Sequence, residues 1–146
     1  MSGERCVAPL DCWCTCCDPE ILPDPLVYVV TGGRKFDNPT LVDLALGCIT
    51  EPSDVIVDGG AAGLDTLARQ WAVANSRQSV TVLAEWDKHG RRAGPMRNYK
   101  MLARGDVRAL IAFPGGAGTR NCIEQAEKMG ITVVRVGLDF KPTRIS

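Results

Sequence analysis

The sequence predicts an α/β fold of three layers, with helices covering both faces of a mostly parallel sheet of five strands or slightly more. Three observations carry this reading. Short runs rich in Val, Ile and Leu recur along the chain, several of them apolar on both faces, as strands buried on both sides require. Between them lie segments whose apolar residues repeat at helical spacing. Glycine-rich turns follow the ends of three of the strands, and right-handed crossovers bring all such turns to one rim, the carboxyl edge of the sheet.

Residues 1–25 form an arm delimited by Pro19, Pro23 and Pro25. Residues 26–138 make the folded domain, and 139–146 a C-terminal tail. The first strand is 26–31, followed at once by Gly32, Gly33 and Arg34. Asn38-Pro39 then gives a helix cap with proline in the first turn. Leu41, Leu44, Ala45, Cys48 and Ile49 supply the apolar face of that helix, and Pro52 ends it. The second strand, 54–58, runs into Gly59-Gly60-Ala61-Ala62-Gly63, and the next helix carries a stripe of Leu64, Leu67, Ala68, Trp71 and Ala72. A third strand spans 79–84. Residues 85–95 read as irregular and polar, with a short helix from about residue 96 to 104 stopped by Gly105. The fourth strand, 107–113, is nearly continuous apolar sequence. It leads through Pro114-Gly115-Gly116-Ala117-Gly118 into a helix with Thr119, Cys122, Ile123, Ala126 and Met129 on one face and a Glu124/Lys128 pair on another. Residues 132–136 make the fifth strand.

Seventeen basic residues balance seventeen acidic ones, so no global field draws the chain to nucleic acid or an anionic membrane. No apolar run reaches the length of a membrane span, and the first residues lack the layout of a signal peptide, so a cytoplasmic protein is expected. Five of the seven cysteines, Cys6, Cys12, Cys14, Cys16 and Cys17, fall in the arm. Their C-x-C-x-C-C spacing, without histidine nearby, fits a tetrahedral metal site poorly, and a reduced arm without metal is expected. Cys48 and Cys122 sit at helical apolar positions and are assigned to the core.

The chemistry of the three glycine turns is anion binding. Glycine lets the backbone approach a ligand, and a helix starting at such a turn points free N–H groups at it. Any one turn has a purely structural explanation; three on one rim suit a phosphate. None is a Walker A loop or the dinucleotide G-x-G-x-x-G pattern. Between Asp87 and Arg104 stand six basic residues, Lys88, Arg91, Arg92, Arg97, Lys100 and Arg104, against one acid. A solvated basic loop is the bland alternative. Arg34, Arg92 and Arg97 are placed to neutralise phosphate oxygens, and Trp86 or Tyr99 to contact a base. His89 is the sole histidine, and nothing else supports a Ser-His-Asp triad.

Four motifs in order then resemble the YspA/YpsA-related group of the SLOG superfamily: Thr31-Gly32-Gly33-Arg34-x-Phe36-Asp37; Asp58-Gly59-Gly60-Ala61-x-Gly63-x-Asp65; Trp86-x-x-His89-Gly90-x-x-Ala93-Gly94-Pro95-x-Arg97-Asn98; and Pro114-Gly115-Gly116-x-Gly118-Thr119. The resemblance spans residues 26–136. It implies a Rossmann-like fold that senses or processes nucleotides and their derivatives, in a group common in phages and mobile elements. It also brings Gly94, Asn98 and Thr119 among the ligand-binding candidates. Within the superfamily, Arg97 and the 114–119 turn are similar to elements of the cytokinin-activating phosphoribohydrolases, whose signature ends in a glutamate. Cys122 stands in that place here, and Glu124 lies two residues on, about 200° around the helix.

Three functions therefore compete. The first is capture of a phosphorylated nucleoside or nucleotide-derived small molecule, such as an ADP-ribose-like compound, as a sensor or sponge. The second is hydrolysis of an N-glycosidic or phosphoester bond in such a ligand, with Asp65, Glu124 or Asp58 as acid or base and Arg97 positioning the phosphate. The third, single-stranded nucleic-acid binding, is disfavoured by neutral net charge and few aromatic residues. No cofactor is expected, and a homodimer is.

Overall fold

The computed structural model describes residues 25–138. The cysteine-rich arm, but for residue 25, and the C-terminal tail lie outside the described residues. Within them, β1 (Val27–Thr31), β2 (Val55–Asp58), β3 (Gln78–Thr81), β4 (Val107–Ala112) and β5 (Val133–Arg135) form one five-stranded sheet in the order β3-β2-β1-β4-β5. Every pairing is parallel. The predicted Rossmann-like α/β architecture is the one observed.

The helices are α1 (Pro39–Ile49), α2 (Leu64–Ala74), α3 (Trp86–His89), α4 (Ala93–Leu102) and α5 (Ala117–Lys128). Right-handed crossovers put α1 and α2 together on one face, because β1, β2 and β3 progress in one direction across the sheet. The chain then returns past β1 to β4, so α4 and α5 pair on the opposite face. Strand alternation divides the core accordingly. Tyr28, Val30, Ile56 and Ile111 pack towards α1 and α2, while Val27, Val29, Val57 and Leu110 meet Met101, Cys122 and Ala126.

Asn38 caps α1 by accepting from the Leu41 N–H at 3.0 Å, with Pro39 in the first turn. The buried stripe of α1 is Leu41, Val42, Ala45, Leu46 and Ile49, rotated from the expected one; Leu44 faces solvent and Cys48 is half-buried. Trp71 is core, its indole N–H donating to Asp43 at 2.9 Å and the Arg77 guanidinium lying 4.8 Å over its ring.

Two segments differ from their sequence expectation. The third strand ends at Thr81 rather than reaching residue 84, because β2 stops at Asp58 and leaves only one further ladder bond, from the Val82 N–H to the Asp58 carbonyl. Residues 86–92, read as irregular, form α3 and a single 3-10 turn, Gly90–Arg92. α4 begins at Ala93, with Gly94 and Pro95 inside its first turn. Pro95 is tolerated there because the N–H it lacks has no partner in a first helical turn. Gly94 packs closely on Trp86, where a Cβ would stand 3.3 Å from the ring.

Candidate functional site

In this strand order the topological switch falls between β1 and β4, whose following helices leave towards opposite faces. A crevice opens at their carboxyl ends, and the turns around it are joined to one another. The Gly33 N–H donates to the Pro114 carbonyl at 2.9 Å, and the Leu64 N–H donates to the Gly33 carbonyl at 3.1 Å. At Gly63, φ is +75°, and a Cβ would overlap the Gly33 carbonyl oxygen. At Gly115 a Cβ would overlap the Thr119 hydroxyl. These glycines serve the mutual fit of the turns. Gly116 and Gly118 differ, because a Cβ on either would meet nothing within 4 Å.

The resulting cleft has a volume of about 930 Å³. Its floor is Gly32 and Gly33, just after β1, together with Gly115, Gly116, Ala117, Gly118 and Thr119 around the start of α5. No side chain caps α5, so its first N–H groups face the cleft with the positive end of the helix dipole behind them. Four cationic residues, Arg34, Lys35, Arg91 and Arg97, line the walls against one acid, Asp65. Trp86 stands at the mouth with the Arg34 guanidinium 5.5 Å over its ring.

Arg97 is held in place on two sides. Its Nη1 donates to the Gly59 carbonyl and its Nε to Asn98 Oδ1 at 3.0 Å. A Cβ on Gly59 would collide with the guanidinium, so that glycine makes room for the arginine. Asn98 is buried, and its amide donates to the Gly118 carbonyl at 3.3 Å and to Asn121 Oδ1 at 3.1 Å. Gln125 completes the chain, donating to Asn121 Oδ1 at 2.7 Å and to the Pro95 carbonyl at 3.1 Å. This amide relay fixes the Arg97 side chain relative to the first turn of α5.

Asp65 Oδ2 accepts from the N–H groups of Gly59 at 3.1 Å and Ala61 at 3.2 Å, closing the turn after β2. Burial pushes its carboxyl up to about 6, the Asp58 carboxylate adds to the rise, and the Ala61 N–H and Arg97 oppose it. Burial also raises Asp58, which accepts from the Gly60 N–H at 2.8 Å and the Thr81 hydroxyl at 3.1 Å and does not line the cleft. Among the described residues, no three His, Cys, Asp or Glu side chains are grouped as metal ligands, and no helix is long and apolar enough to cross a membrane.

Comparison with known proteins now decides the family. The profile of the YspA, cpYpsA-related SLOG family matches residues 27–89, from β1 through α3. The Gene 61 protein of Mycobacterium phage D29 is 38% identical over 120 residues, covering 75% of this chain and 94% of that protein. The chain belongs to the YspA, cpYpsA-related SLOG family. The fold of this SLOG chain also matches DNA processing protein A from Streptococcus pneumoniae, with a TM-score of 0.62 at 23% identity over 77% of the chain. The chain spans half the length of that protein.

The structure of the SLOG chain gathers most of the candidates named from sequence. Gly32, Gly33, Arg34, Ala61, Asp65, Trp86, Gly94, Arg97, Asn98, Pro114, Gly115, Gly116, Gly118 and Thr119 all line the cleft. Gly59 and Gly60 border an adjoining hollow instead, and Gly63 packs beneath the turn after β1. Arg92 is exposed on the 3-10 turn, and its neighbour Arg91 reaches the cleft wall. Glu124 and Tyr99 are exposed and lie outside the cleft; His89 is half-buried outside it, its Nε2 3.4 Å from Glu85. Cys122, which replaces the phosphoribohydrolase glutamate, is fully buried, and burial pushes its thiol up to about 11. The lining residues that sequence reasoning missed include Lys35, Phe36, Arg91 and Asn121. Lys35 and Phe36 directly follow a glycine turn that was recognised, which was signal enough. Asn121 gave none, since its role comes from contact between α4 and α5.

Proposed function

We propose that this cleft binds a phosphorylated nucleoside or nucleotide-derived small molecule, and that the protein acts as a sensor or sponge for it. The observation that carries the reading is the uncapped start of α5, where Gly116 and Gly118 leave open space, facing the fixed Arg97 guanidinium across one cleft. A phosphate in that gap takes N–H donors from the helix end and a forked cation from the opposite wall. The cleft volume lies within the range of about 300–1,000 Å³ usual for small-molecule sites. Family membership supports the same ligand class, and the exposed Met96 and Tyr99 on α4 support a homodimer. The protein is read as cytoplasmic and as needing no cofactor. Native mass spectrometry of protein purified from cells tests this reading: a carried-over nucleotide derivative is expected as added mass, lost from an Arg97→Ala variant.

One observation favours hydrolysis as the second reading. Asp65 faces the cleft and holds its proton up to about pH 6, as a general acid should. Incubation with nucleoside monophosphates distinguishes the two. Free base released by the wild type and not by Asp65→Asn, with binding intact, establishes turnover. The DNA-processing relative raises single strands as a third ligand class; salt-sensitive binding of an oligonucleotide, competing with nucleotides, would overturn the small-molecule reading.

A further inference from the structure

A second hollow of about 400 Å³ adjoins the main cleft, and Arg34, Ala61, Trp86 and Arg97 belong to the walls of both. These four residues form a collar between the compartments. Beyond it, the walls are the turn after β2, at Gly59, Gly60 and Ala62, and the segment after β3, at Leu83 and Ala84. The two compartments differ in what they add to that collar. The main cleft holds the helix N-terminus, Lys35 and Arg91. The side hollow has no acidic or hydroxyl side chain, and its cations are only those of the collar. Leu83 is 68% exposed yet folds back towards Gly60, where its Cδ2 would stand 2.5 Å from an added Cβ. Apolar walls, the indole of Trp86 and the guanidinium face of Arg34 are what a flat uncharged ring requires.

From this geometry we infer that the side hollow is a ring subsite, which takes the nucleobase while the phosphate occupies the main cleft. The inference rests on the nucleotide reading above and adds where the base goes. Trp86 and Arg34 then act as the clamp between the two ends, since bases stack readily on aromatic rings and guanidinium planes. Selection between a bare sugar phosphate and a nucleotide is then set by the side hollow.

Calorimetric titration with ribose 5-phosphate, adenosine 5′-monophosphate and cytidine 5′-monophosphate tests this on the wild type and on two filled variants, Ala62→Phe and Ala84→Phe. Both alanines line the hollow, and Ala62 is exposed, so its bulkier replacement is added without entering the core. The wild type should bind at least one nucleotide ten or more times tighter than ribose 5-phosphate. Filling the hollow should bring that nucleotide to the level of the sugar phosphate, whose own binding changes less than twofold. Equal affinities in the wild type, a preference that survives in both filled variants, or equal loss of all probes in both would overturn the subsite and leave the cleft reading standing. Binding of none of the three phosphorylated probes would overturn the nucleotide reading itself, and the subsite with it.

Discussion

Asp65 joins the fold to the chemistry of the site. The folded chain holds its carboxyl near 6 against an ordinary value of 3.8, so the folded state keeps a proton that the unfolded state gives up. Stability from this group is therefore fully present below about pH 3.8 and is lost as pH rises through about 6, a change of about 3 kcal/mol. Urea unfolding at pH 4.5 and 7.5 should show wild type losing stability across that window relative to Asp65→Asn, which retains an acceptor for the Gly59 and Ala61 N–H groups. Equal pH dependence in the two proteins would contradict the assignment. Arg97 offers a second test at this scale. Gly59→Ala places a methyl group against its guanidinium and should lower nucleotide affinity about tenfold or more, as Arg97→Lys should by losing the fork. Unchanged binding in both variants would remove Arg97 from the site.

The turns and helices explain why the glycines are not equivalent. Gly63 combines a left-handed φ of +75° with a backbone carbonyl where its Cβ would be, so Gly63→Ala should destabilise by about 2 kcal/mol or more by chemical denaturation. Gly118→Ala meets open space and gains helix propensity, so it should fold at least as well as wild type. Its methyl group nonetheless enters the floor of the cleft, and binding of a phosphorylated probe should weaken while thermal stability does not. The amide relay from Asn98 through Asn121 to Gln125 couples α4 to α5. Asn98→Ala should cost about 1–3 kcal/mol of stability and also weaken ligand binding, by freeing Arg97.

Across the whole molecule, the order β3-β2-β1-β4-β5 turns four separate sequence motifs into one crevice. Much of this was legible in the chain. Buried strands and the three glycine turns stand out because each has a strong local signature, a continuous apolar run or clustered glycine. What was hidden depends on tertiary contact. Only the first turn of the helix over residues 93–102 was obscured, by Gly94-Pro95, because the chain up to Pro95 reads as irregular and the contact with Trp86 is tertiary. The rotated stripe of α1 reflects which side of the helix meets the sheet, not the spacing of its apolar residues. Gly59 also seats an arginine, a role visible only once residues 38 positions apart are brought together. The most direct test of the central claim is amide NMR of the 15N-labelled chain titrated with adenosine 5′-monophosphate. The account predicts saturable shifts of the Gly116, Ala117, Gly118 and Thr119 N–H signals, together with the Arg97 side chain. Saturable binding that leaves those amides unmoved, or shifts confined to another face of the sheet, would contradict it.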